Sequence, residues 1–127
     1  MNHPEEAISV NVKTDKKEYI VGATVKMTLE ISNNCVNPVE LTFASAQRYD
    51  FIVLRGNEDV WRWSKDKRFA MVLDFMSLKS CEKRTYVETW KVKAATPGEY
   101  KVVGVITSRP PYKAACIIKI RTSCTLP

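Results

Sequence analysis

Histidine is almost missing from this sequence: His3 is the single one in 127 residues, and it stands in a polar N-terminal stretch. The commonest general base and metal ligand is therefore all but lost. The four cysteines, Cys35, Cys81, Cys116 and Cys124, include no closely spaced pair of the kind a zinc site needs. Glycine occurs only 4 times and nowhere as a phosphate-cradling run. Catalysis needs a nucleophile with its base, a metal, a cofactor loop or a tuned carboxylate pair, so neither an enzyme nor a cofactor is expected. Glu88, on the same stretch as Trp90, is the one acid outside the turns that draws notice, and a lone strand acid is ordinarily solvated or paired. Long apolar runs are lacking too. Runs such as residues 51–54 and 102–106 fall far short of the ~18 to 20 residues that cross a bilayer as a helix. Residues 1–6 lack a basic region followed by an apolar one, so no secretory leader is visible.

What is present is ordinary globular composition, 45% hydrophobic and 27% charged. Residues 1–127 show no repeat, linker or shift in composition, and are expected to form a single domain. A net charge of +6 favours acidic partners through steering that salt screens. The densest basic stretch, Arg62, Lys65, Lys67 and Arg68, follows two tryptophans. Bases of single-stranded nucleic acid can stack on such rings, but a solvated basic loop over core tryptophans is the preferred reading, and no nucleic-acid partner is expected.

Apolar residues recur at every second position. In residues 24–32, Val25, Met27, Leu29 and Ile31 point one way and Lys26, Thr28, Glu30 and Ser32 the other, which is a strand with one face on a core. Ile8, Val10 and Val12 form an earlier strand, with residues 14–22 as a polar turn and approach. Strands follow at 39–43, 49–54 and 60–63, the last two joined through Gly56-Asn57. Residues 70–76 read as an edge strand or a connection. Strands resume at 84–92, from Tyr100 to Ile106, and through Cys116, Ile118 and Ile120. Seven or eight short strands and no crossover helix predict an all-β, immunoglobulin-like antiparallel sandwich. Tyr100, just after Pro97-Gly98-Glu99, suits the tyrosine corner of such folds.

Two linked motifs carry a resemblance: Leu41-Thr42-Phe43-Ala44-Ser45-Ala46-Gln47-Arg48-Tyr49-Asp50-Phe51, and Val60-Trp61-Arg62-Trp63-Ser64 with Phe69 beyond. With Leu78-Lys79, Trp90 and Pro97-Gly98-Glu99-Tyr100, the stretch from about Val25 to Ile106 resembles the bacterial intracellular proteinase inhibitor family, the BsuPI-like domains. The resemblance implies a protein partner, a serine proteinase in the family's named member, and a cytoplasmic location unless a leader once preceded the chain. The alternative is a non-catalytic structural or interaction module of an exported or cell-surface protein. The chain departs from the family pattern at Ala46, where a glycine is expected, and at Ser80-Cys81, where Pro-Gly is expected. Ala46 argues that its position does not require positive φ.

Candidate protein-binding residues follow. Arg48, Trp61 and Trp63 combine the residue types that anchor interfaces, and at least one of the two tryptophans is expected in the core. Residues 107–113 offer a stiffened loop in which Arg109 would enter a specificity pocket, with Pro110 and Pro111 holding the chain extended beside Tyr112. Cys116 is expected to be a buried thiol. Cys35 and Cys81 fall in turns at one end of two strands that would pair antiparallel, so a disulfide between them is open.

Overall fold

The computed structural model describes residues 7–93 and 96–122, which places Cys124 outside the described residues. Among the described residues ten strands run in order: β1 (Ile8–Thr14), β2 (Glu18–Ile20), β3 (Thr24–Asn33), β4 (Val39–Phe43), β5 (Tyr49–Arg55), β6 (Glu58–Arg62), β7 (Asp74–Leu78), β8 (Lys83–Lys91), β9 (Gly98–Ile106) and β10 (Tyr112–Arg121). A 3-10 turn, Trp63–Asp66, follows β6. No helix among the described residues is long and apolar enough to cross a membrane.

Two sheets face each other. One is β1-β3-β8 and the other β2-β10-β9-β5-β6, while β4 and β7 form a separate pair. The alternation of β3 does what the sequence requires: Val25, Met27, Leu29 and Ile31 are fully buried. They meet Phe51, Val53, Tyr100, Val102, Ile118 and Ile120 from the opposing sheet in one continuous core. Among the described residues the strand pairings are antiparallel except β2 with β10. The architecture is the immunoglobulin-like antiparallel β-sandwich. The Tyr100 hydroxyl donates to the Thr96 carbonyl at 2.5 Å, the corner bond expected of it.

Three expectations change. Residues 14–22 are not all turn: Glu18–Ile20 adds a short parallel strand to β10, too brief for a period of two to reveal. Neither Trp61 nor Trp63 is fully buried; both lie half-covered against the core, Trp61 because β6 is an edge strand with nothing hydrogen-bonded beyond it and Trp63 because the chain leaves the sheet there in the 3-10 turn. The buried tryptophan is Trp90. Cys116 shares its face with Ile118 and Ile120 but is likewise half-buried, and burial pushes its thiol pKa up.

Cys35 and Cys81 are not joined. Their turns do lie together, since the Asn33 N–H donates to the Glu82 carbonyl at 2.9 Å. The tie between them is made instead by the buried Asn33 side chain. Its Nδ2 donates to the carbonyls of Asn37, Leu78 and Lys79, and its Oδ1 accepts from the Cys35 N–H. A buried amide with its bonds filled already fixes this end of the sheet.

Candidate functional site

Between the 3-10 turn and β7 the chain runs from Lys67 to Leu73 without regular structure, and here apolar side chains leave the protein instead of entering it. Met71 is 83% exposed, Val72 58%, Leu73 64%, and Phe75 in β7 52%. Scattered exposed apolar residues are normal, whereas four within five positions form a patch of the kind that marks an interaction surface.

The segment is held at both ends by residues of the two sequence motifs. At its start, Phe69 packs against Trp63 with ring centroids 6.0 Å apart, and Lys67 Nζ lies 4.7 Å from the Trp63 centroid. Trp63 in turn stacks on Tyr49 at 4.6 Å, and Tyr49 on Tyr86 at 4.5 Å. The Tyr49 hydroxyl donates to Glu88, and burial followed by that bond drives the phenol pKa far upward. Glu88 is thus a paired acid with a structural partner. The 3-10 turn carrying Trp63 is anchored by Asp50, whose Oδ1 accepts from the Ser64 N–H at 3.1 Å and whose Oδ2 accepts from Ser64 Oγ at 2.5 Å.

At the other end, Arg48 pairs with Asp74, donates through Nη1 to the Ser45 carbonyl at 3.1 Å and covers the Phe43 ring at 4.4 Å. The Phe75 N–H and Arg48 together hold the Asp74 carboxyl below the ordinary carboxylate range. In the middle, the Ala46 N–H donates to the Ala70 carbonyl at 2.9 Å. Ala46 has no positive φ, as its side chain implied; Cys81 does, at φ 61°. Of the two departures from the family pattern, one is therefore harmless and the other places an L-residue where glycine fits better.

Arg48 also connects this segment to the loop before β10. The Thr107 N–H donates to the Arg48 carbonyl at 3.0 Å, Thr107 Oγ1 to the Gln47 carbonyl at 2.9 Å, and the Arg109 N–H to the Thr42 carbonyl at 2.8 Å. Phe43 bridges Ser108 on one side and Asp74 on the other, so the loop and the exposed segment are two strand spacings apart, about 10 Å. Arg109, Pro110 and Pro111 are exposed, the Arg109–Pro110 peptide is cis, and Tyr112 is half-buried against the core. One rim of the sandwich thus gathers Arg48, residues 107–111 and the 69–75 segment, with Trp63 behind it. Trp61 stands apart, stacked on Trp90 at 6.1 Å beside Lys91 and Lys93. Trp63 is flanked by Tyr49, Phe69 and Lys67, while Trp61 has Trp90 against it and lines an open cleft.

Residues 70–76, read from the sequence as an edge strand or a connection, are a connection up to Leu73 and then the start of β7, and the exposure of the connecting segment lies outside that reading. Its aperiodicity was the available signal: a strand buries one side, and residues 71–73 obey no alternation. Among the described residues no group of three His, Cys, Asp or Glu side chains is placed to hold a metal.

Solved structures with the same fold include the sporulation control protein Spo0M of Bacillus subtilis, 14% identical over 94% of this chain and 50% of that one, with a TM-score of 0.56. The CARDB domain of a Pyrococcus furiosus protein, solved with di-metal ions, is 11% identical over 91% of this chain and 94% of that one, with a TM-score of 0.55. A third is the Pseudomonas fluorescens alkylpurine DNA glycosylase AlkC, 9% identical over 91% of this chain and 31% of that one, at 0.55. The chain spans half the length of the first, and at these identities the likeness is one of fold. No curated protein sequence matches the chain. The family model for intracellular proteinase inhibitors matches residues 12–111, which include both motifs and the exposed segment, and by that match the chain belongs to the BsuPI family.

Proposed function

We propose that this chain inhibits a proteinase by setting the 71–75 segment against it, with Met71, Val72 and Leu73 as the primary contacts. The observation that carries the reading is the exposure of those three consecutive apolar side chains on backbone clamped at both ends. A contact surface fixed before binding loses less conformational entropy on association, which is what a tight inhibitor needs. The family model supports the inhibitory class and a protein partner. Arg48 serves in this reading as the brace that aims the segment, and Arg109 as a basic neighbour on the same rim.

The test is inhibition of intracellular serine proteinases by the wild-type chain, a Met71→Asp/Leu73→Asp double variant and Arg109→Ala. Burying two such side chains is worth roughly 1.5 to 3 kcal/mol each, so the double variant is expected to inhibit at least about 100-fold more weakly with its fold intact. Loss on Arg109→Ala with the double variant unaffected would move the primary contact to residues 107–113. Absence of inhibition by the wild-type chain at stoichiometric concentration would favour the structural module of an exported or cell-surface protein.

A further inference from the structure

The outer face of the five-stranded sheet is built as if something covers it. An antiparallel sheet with one wet face alternates apolar with polar, but β5 reads Phe51-Ile52-Val53-Leu54 and β9 reads Val102-Val103-Gly104-Val105-Ile106. Unbroken apolar runs belong to strands buried on both faces. The strand registers lay the outward residues in rows. Ile117, Lys101, Leu54 and Asp59 form one; Ala115, Val103, Ile52 and Arg62 the next; Lys113, Val105 and Asp50 the third, where Val105 and Asp50 are already buried, Asp50 beneath Ser64 of the 3-10 turn. Between Lys101 and Lys113 they enclose an open apolar groove of about 370 Å³. Ile117 at its border is 49% exposed.

The charges say what kind of surface would complete it. Arg62 is already satisfied, 2.8 Å from Asp59 and 3.5 Å from Asp50. Lys101 and Lys113 make no ion pair among the described residues, and half-exposed Val103 and exposed Ala115 lie between them. Four residues along β9 plus one strand spacing put them about 14 Å apart. A second copy of this chain would bring the same lysines against each other on a drying patch, adding to the repulsion between chains of net charge +6. We infer that this face docks an amphipathic helix of an acidic protein partner, its apolar stripe on Ile52, Val103 and Ala115 and its bordering carboxylates on Lys101 and Lys113. The face lies on the outer side of a sheet whose inner side is the core, so this contact is separate from the proposed inhibitory segment and does not depend on it.

The probes are two synthetic 14-residue helical peptides with one leucine stripe, bordered by glutamates in the first and by lysines in the second. Titrated into isotope-labelled chain, the glutamate peptide is expected to shift the amides of β5, β9 and β10 and to bind about tenfold more tightly than the lysine peptide, as two exposed charge contacts allow. Lys101→Glu/Lys113→Glu should reverse that order, and Val103→Gln should weaken both peptides, with core resonances unmoved in each variant. Equal affinities, an unreversed order, shifts confined to residues 69–75, concentration-dependent dimerisation through this face, or tighter binding to phosphatidylserine vesicles than to the peptide would each overturn the assignment.

Discussion

Replacing Asp50 by Ala removes a carboxylate that holds the proposed contact segment from a distance. Asp50 is 4% exposed, and besides Ser64 it accepts the N–H of Phe51 at 2.9 Å. The truncation leaves the buried Phe51 N–H without an acceptor and frees the Ser64 N–H and hydroxyl, which stand closer to water. A buried donor stripped of its partner costs about 1 to 3 kcal/mol, and the loss of a charge-assisted bond at Ser64 adds about half that range again, so about 3 kcal/mol in all is expected. With a urea slope of about 1.5 kcal/mol/M for a domain of this size, the midpoint should fall by about 2 M. Asp50→Asn keeps one acceptor oxygen and should lose about half as much. Because the 3-10 turn carries Trp63 and Trp63 supports Phe69, tryptophan emission should shift red at urea concentrations where the fold is still intact. A midpoint within 0.3 M of wild type, measured as the average of triplicate melts with an unchanged slope, would refute the argument that Asp50 anchors the turn.

Other substitutions probe other parts of the same reasoning. Cys81→Gly relieves an L-residue at positive φ and should stabilise the chain by about 0.5 to 1 kcal/mol, read as a rise of the thermal midpoint. Tyr100→Phe removes the corner bond and should cost about 1 kcal/mol in chemical denaturation. Desolvation, then the bond to Asp15, raises the Tyr19 phenol to about 12, above its unfolded value of 10.0. The sign follows: this contribution to stability is complete below pH 10 and disappears as pH rises through 12, so urea midpoints should fall across that window in wild type and less in Tyr19→Phe. A thiol reagent near neutral pH should modify exposed Cys81 roughly tenfold faster than half-buried Cys116, counted by mass spectrometry after digestion.

The fold was legible because its signals are local. Val25, Met27, Leu29 and Ile31 announce a core face by spacing alone, Gly56-Asn57 announces a hairpin, and Tyr100 after Pro97-Gly98 announces a corner. What escaped depends on neighbours far along the chain. Tyr19 is the one inward residue of a three-residue strand, and only β10 beside it makes it a strand at all. Trp61 and Trp63 alternate like core residues, but the cover of Trp61 depends on β6 being last in its sheet and that of Trp63 on the 3-10 turn that takes over after Arg62. The bridge offered to Cys35 and Cys81 lost to an asparagine whose four bonds run to residues up to 46 positions away. Arg48 reads as an anchor residue in the motif, yet its partner Asp74 sits 26 positions on, so nothing in the motif shows that it is tied to a segment outside it.

Pinning that segment from outside has a consequence for how the chain can change. Trp63, Phe69, Arg48 and Asp74 carry the closure of the segment's ends, and Ala46 fixes its backbone through Ala70. Met71, Val72 and Leu73 therefore have no folding duty, and their side chains are a writable stretch on a fixed frame. Other tripeptides grafted between Ala70 and Asp74 should leave the melting behaviour of the sandwich nearly unchanged while altering what it meets. On the proposed reading, selection can retarget the chain without renegotiating its core.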